Sequence, residues 1–212
     1  MLKAILLVLE PTAAWEKIFL ARRGTVFVLL SHLLPLLLIG SVCEGYGLIH
    51  WGKQRGQMQD VVHIKTFSRA ETVIFETAQL IVSLLVVFGG ANMVKSIGET
   101  FHGRHNYNQA FSAIAYGLSP LFALRLLDAF PSVSPWVTWS IGIMLSIGAL
   151  YHGVPRMMEP DPPHAFGLFL MASLLLLVIT GMVRFVTWWY LTGKLPQVDS
   201  FVSGLAARLP FL

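Results

Sequence analysis

Apolar positions in this chain gather into five long runs, at Gly24–Ile49, Ala70–Val94, Tyr107–Phe130, Pro135–Tyr151 and Ala165–Leu191. A bilayer core is roughly 30 Å thick and a helix rises about 1.5 Å per residue, so about 20 residues cross it. Four of the runs exceed that length and the fourth, Pro135–Tyr151, sits at the short end. None alternates with period two, and all are too long for a barrel strand. Only helices and closed barrels satisfy every backbone group in lipid. The pattern predicts an all-α polytopic membrane protein: a single membrane domain over residues 1–212 with five transmembrane helices.

The flanks follow different patterns. Met1–Leu9 carries a lysine and a short apolar stretch, as a secretory signal would, but Glu10 and Pro11 interrupt it and no small-residue cleavage pattern follows. Leu2, Ile5, Leu6 and Leu9 share one helical face, which predicts a retained amphipathic segment at the interface. Pro11 ends that piece, and a second short helix over Thr12–Arg22 leads to the first span, so residues 1–22 read as interfacial. Residues 192–212, with an amphipathic Phe201–Leu212, read as an interfacial tail. Ser68 followed by Glu71 predicts a capping box. Ser134 before Pro135, and Asn106, mark further helix starts. Thr192–Gly193 closes the last span, and Ser119–Pro120 should kink the third. Small residues four apart (Ser41 and Gly45, Ala113 and Gly117, Gly142 and Ser146) predict close helix contacts, within the chain or across a homo-oligomer.

Composition narrows the functional classes. Hydrophobic residues make up 55% and charged residues 12%, far below the roughly 25% charged of a soluble domain. The net charge of +4 comes from basic residues flanking the spans, where headgroups attract them; no dense stripe suits nucleic acid. Cys43 is the only cysteine, which excludes an intramolecular disulfide and a multi-cysteine metal or iron–sulfur site. No GxSxG, HExxH, P-loop or Rossmann fingerprint supports catalysis, and no cofactor is expected.

Topology sharpens the picture. With the N-terminus on a near side and five spans, the C-terminus lies on the far side. The acids and arginines embedded in the spans then all fall in the far leaflet: Glu44, Glu76, Arg125, Asp128 and Arg184. Embedded charges are expensive unless paired or snorkelled. Glu44, Arg125 and Asp128 could snorkel to headgroups while Glu76, one of the two deepest, pairs with Arg184 or Arg125 as a packing device. The alternative is a polar vestibule open to the far side, with Glu76 and Arg184 as its deepest members. Direct pairing of the charges would count against that vestibule. Trp51, Trp136, Trp139, Trp188, Trp189 and Tyr190 map to the far interface, and Trp15, Tyr107 and Tyr151 to the near one, as an aromatic belt requires. His102, His105, His152 and His164 collect on the near side as weak metal candidates; their spacing is not a helical zinc motif, and solvated loop histidines are the simpler reading. Flanking Lys and Arg number seven near and six far, which barely orients the chain; Arg22 and Arg23 favour a cytoplasmic N-terminus.

Four stretches carry a family likeness: Glu10-Pro11-Thr-Ala-Ala-Trp15-Glu-Lys-Ile18; Phe88-Gly89-Gly90; Tyr107-Asn-Gln-Ala-Phe111 leading to Ala115-Tyr116-Gly-Leu-Ser-Pro120; and Tyr151-His-Gly-Val-Pro155-Arg-Met-Met158. In these the chain resembles a bacterial-type member of the Yip family, the Ypt/Rab-GTPase-interacting membrane proteins. The resemblance implies five spans, a cytoplasmic N-terminus in a bacterial inner membrane, and no catalytic activity. Eukaryotic relatives are linked to Rab GTPases and vesicle traffic. The long soluble N-terminal region of those relatives is missing here, so a Rab-type GTPase is not the expected partner. The expected function is a membrane scaffold or adaptor, its partners the bilayer and a membrane protein or second copy. The alternatives are a small transporter or channel using the far-leaflet charges, and lipid-headgroup binding by the same cluster.

Overall fold

A computed structural model describes residues 2–55, 63–101 and 106–208. Five helical segments are long and apolar enough to cross a membrane: Thr25–His50, Arg69–Thr100, Tyr107–Ala129, Pro135–Met158 and Pro162–Leu191, here spans 1 to 5. Ahead of them come α1 (Leu2–Leu9) and α2 (Pro11–Leu20). Span 1 comprises α3 (Thr25–Val28), a π-helical turn (Leu29–Leu33) and α4 (Leu34–His50). A small antiparallel hairpin, β1 (Lys53–Arg55) with β2 (His63–Lys65), follows; Lys53 faces Lys65, Gln54 faces Ile64 and Arg55 faces His63. Span 2 is α5 (Arg69–Thr100). Span 3 is α6 (Tyr107–Gly117), α7 (Ser119–Leu124) and a 3-10 turn (Arg125–Ala129). Spans 4 and 5 are α8 (Pro135–Met158) and, after a 3-10 turn, α9 (Ala165–Leu191); α10 (Pro196–Ala206) closes the fold.

The helix punctuation follows local chemistry. Ser68 accepts from the Glu71 backbone N–H while the Glu71 carboxylate accepts from that of Ser68, completing the capping box. The Asn106 side chain caps α6 through the Asn108 N–H. Ser134 makes no side-chain cap; Pro135 at the helix start removes one unsatisfied donor instead. Gly193 closes span 5 with φ +78°.

Span 3 breaks at Leu118, ahead of Pro120, as the proline requires. The π-helical turn of span 1 lies against that break: His32 Nε2 sits 2.7 Å from Ser119 Oγ. Two irregular helix segments thus satisfy each other inside the bundle.

Small residues set the close approaches. A side chain on Gly47 would strike the Ala129 backbone, one on Gly117 would strike Leu150, and Gly142 abuts Leu121. Ser146 Oγ accepts from the Leu121 N–H at 3.2 Å. The small-residue pairs of spans 3 and 4 therefore serve packing within the chain.

The N-terminal segment is helical, as its pattern predicts, and it is also docked into the bundle. α1 packs against α6, α7 and α8, with Leu7 in the core and Leu6 and Leu9 exposed. Trp15 does not join the near-side aromatic belt. It is 1% exposed, fills a notch that only Gly153 leaves open, and its indole N–H donates to the Ala149 carbonyl at 2.8 Å. Glu16 pairs with Arg156 at 2.8 Å beside it, and that guanidinium holds the Glu16 carboxyl below the usual range. The main core, including Trp15, Phe111, Ile114, Tyr116 and Leu150, extends through the near half. A separate far-side cluster joins Leu48, Phe67, Phe75, Tyr190, Leu191 and Val202 under α10.

Candidate functional site

The five embedded charges meet around one turn. Arg125 and Asp128 both lie on the 3-10 turn that ends span 3. Arg125 reaches spans 1 and 2: its Nε donates to Glu44 Oε2 and its Nη2 to Glu76 Oε2, each at 2.6 Å. Asp128 reaches spans 4 and 5: it accepts from Thr138 Oγ1 at 2.6 Å and from Arg184 Nη2 at 2.7 and 2.8 Å. One turn of span 3 therefore makes charged or hydrogen-bonded contacts with every other span. Arg184 also donates to the Pro135 carbonyl, at 2.6 Å from Nη2 and 2.9 Å from Nε. That carbonyl belongs to the first turn of α8, in a helix whose start has no side-chain cap.

Glu44 is 1% exposed, Asp128 2% and Glu76 8%. The snorkelling expected for Glu44, Arg125 and Asp128 is corrected: all three turn inward and pair, because the other partners lie within hydrogen-bonding distance and a direct pair offsets the cost of burial. Of the two partners considered for Glu76, the structure selects Arg125, and Arg184 goes to Asp128.

A sixth charge escaped the sequence reading. Lys53 in β1 donates from Nζ to the Asp128 carbonyl at 2.9 Å. Burial pushes its ammonium below the ordinary lysine range, against the pull of Asp128 and Glu44. With Lys53 the group holds three acids and three bases and is formally neutral. Lys53 reads as a loop residue in sequence; only the hairpin turns it back over the span 3 terminus. Thr138, a single threonine near the start of span 4, was missed because only the rotation of α8 aims it at Asp128.

Beside the network lies a cavity of about 80 Å³. Arg125, Asp128, Arg184, Thr138 and Thr180 line it, with Trp139 at one wall. Val86, Leu121, Phe122 and Val183 make the rest of its wall apolar, so room for water is confined to the side that carries the charges. Arg125 Nη1 and Glu76 Oε1 are buried without a hydrogen-bond partner among the described residues. The Gln79 side chain donates to Thr187 at 2.6 Å, tying span 2 to span 5 at the cavity edge.

On the far surface, Asp199 of α10 receives Arg55 at 2.8 Å and Lys65 at 3.0 Å from the hairpin. The Arg55 guanidinium, then Lys65, hold the Asp199 carboxyl below the usual range.

The remaining candidates are dispersed. Pro11 starts α2, Pro120 sits in the first turn of α7 and Pro155 lies inside α8. Tyr116 is buried and its ring lies against His32, centroids 4.4 Å apart. Gly90 meets Leu176 and Ile114, whereas Gly89 faces open space. Tyr151 is half exposed and packs edge-on against Phe169. His102 and His105 lie outside the described residues. His152 contacts the Tyr151 ring and His164 the Phe101 ring, and among the described residues no three His, Cys, Asp or Glu gather into a metal-binding group.

No curated protein and no solved structure matches the chain. A family model described as the Yip1 domain matches residues 5–183, a stretch that runs from α1 through Arg184's predecessor in span 5 and takes in the break at Pro120 and both Arg125 pairs. By that match over most of its length, this five-span membrane protein belongs to the Yip1 domain family.

Proposed function

We propose that this protein is a non-catalytic membrane scaffold or adaptor in membrane organisation, seated in a bacterial inner membrane with its near side cytoplasmic. The observation that carries the reading is the direct pairing of the embedded acids: Glu44 and Glu76 on Arg125, and Asp128 on Arg184. Charges consumed in pairs between spans lock a bundle; they do not line an open path for solute. A rigid bundle presents its near-side surface, including exposed parts of α2, in a fixed geometry to a membrane-protein partner or a second copy. The test is affinity isolation of the tagged full chain from native membrane in mild detergent, read by mass spectrometry. A stoichiometric partner, retained by Glu76→Gln, is the expected result.

One observation favours a second reading, a small transporter. The cavity beside Arg125, Asp128 and Arg184 is large enough for water and has these charges on an otherwise largely apolar wall. A partner-free preparation that carries ions or small solutes across liposomes would replace the scaffold reading with this one.

A further inference from the structure

A second cleft lies at the opposite end of the bundle, independent of the far-side network. Its volume is about 440 Å³. It opens where the chain enters span 1 (Arg22, Arg23), where span 3 begins (Asn106, Asn108, Gln109) and where span 4 ends (Met157). These are near-side ends of three spans, so the cleft sits at headgroup depth. Among the described residues its lining holds two arginines and no acid. Ile18, Phe19 and Met157 make one wall apolar.

The arginines are held for this position. Arg22 has φ +39°, a left-handed conformation that is costly for any residue with a Cβ. Such strain persists only where its surroundings enforce it, and it clusters at ligand-binding positions. Arg23 lies over the Phe27 ring at 4.6 Å, and the buried Tyr116 also lines the cleft. Asn108 is fixed by the Thr25 hydroxyl at 2.6 Å. Gln109 and Ser112 complete the polar side of the cleft.

We propose that this cleft binds the headgroup of an anionic phospholipid from the near leaflet, phosphatidylglycerol being the simplest fit. Two guanidinium groups match the phosphate geometrically and electrostatically. A phosphatidylglycerol headgroup brings net negative charge to a lining of two arginines and no acid, whereas a choline headgroup brings a cation that the same arginines repel. The apolar wall of Ile18, Phe19 and Met157 receives the start of the acyl chains, which a soluble phosphate does not possess.

The test uses the full chain in detergent with equal phosphatidylglycerol and phosphatidylcholine, the bound lipid being read by native mass spectrometry. Wild type should retain one phosphatidylglycerol in preference. Arg22→Gln with Arg23→Gln should reduce that preference at least about tenfold, the scale of losing charge-assisted hydrogen bonds. Arg22→Lys with Arg23→Lys should keep most of it, and Lys95→Gln, a near-side charge outside the cleft, all of it. Asn108→Asp, an isosteric change at an exposed position, should lower the preference without touching either arginine. Equal binding of the two lipids to wild type, or an unchanged preference in both Arg22→Gln/Arg23→Gln and Asn108→Asp, overturns the proposal. So does displacement of the lipid by glycerol 3-phosphate at equal concentration, which would make the ligand a soluble phosphate.

Discussion

The two halves of this bundle hold together by different physics. The near half is apolar and close-packed: Trp15, Phe111, Ile114, Tyr116 and Leu150 interlock, and glycines admit them. The far half is built around the neutral group of Glu44, Glu76, Asp128, Arg125, Arg184 and Lys53. Lipid offers apolar helices no solvent to escape, so close packing and polar contacts must replace the hydrophobic drive of a soluble core. The near half uses shape, tolerant of small defects. The far half uses charge, where one missing partner strands another in a low dielectric. The far half should therefore be the brittle one.

The sharpest way to break that contrast is Arg125→Met. It leaves Glu44 and Glu76 buried without their cation and should cost about 3–5 kcal/mol, read as a loss of unfolding free energy in detergent. Combining it with Glu44→Leu and Glu76→Leu should recover most of that loss, since a buried ion group replaced by apolar residues is often neutral. A silent single variant would refute the lock.

Next in size is Gly153→Val, which collides with the Trp15 ring in the near half and should cost roughly 1–3 kcal/mol by overpacking. Trp15→Phe keeps most of the ring but leaves the Ala149 carbonyl without its indole donor, a loss of about 1 kcal/mol. Thermal unfolding in detergent ranks both against the Arg125 variants; a near-half loss exceeding the Arg125→Met loss would reverse the comparison.

The smallest effect belongs to the far-side surface. Asp199→Asn releases α10 from Arg55 and Lys65 and should cost about 1 kcal/mol or less, because the pairs are partly exposed. Its pH dependence has a definite sign. The folded carboxyl sits below its ordinary value, so its stabilisation is complete above the unfolded pKa and disappears as pH falls through the folded one. Proteolysis of α10 between neutral and acid pH should accelerate in wild type and stay flat in Asp199→Asn.

Much of this was legible along the chain. The five spans, the Ser68–Glu71 box and the break before Pro120 each depend on residues within a few positions, so periodicity and helix chemistry expose them. The far-leaflet grouping of Glu44, Glu76, Arg125, Asp128 and Arg184 also follows from counting along alternating spans. Pair identity does not: Glu76 stood equally ready for Arg125 or Arg184, and helix rotation decides. Trp15 reads as an interfacial aromatic because nothing near it in sequence announces the Gly153 notch. Lys53 and Arg22 look like ordinary flanking cations until a hairpin and a left-handed turn aim them.

The sequence by itself determined that this chain crosses a membrane five times, where its helices start and break, and which leaflet holds its buried charges. Those properties depend on local hydropathy and on spacing. Only the tertiary structure decided which charges meet, that one turn of span 3 joins all the other spans, and that the N-terminal helices dock into the bundle instead of merely lying on it. Apart from the Asp128–Thr138 bond, which joins residues 10 positions apart, those contacts join residues 49 to 134 positions apart. Their existence depends on rotation and depth of whole helices, quantities that no stretch of sequence encodes alone.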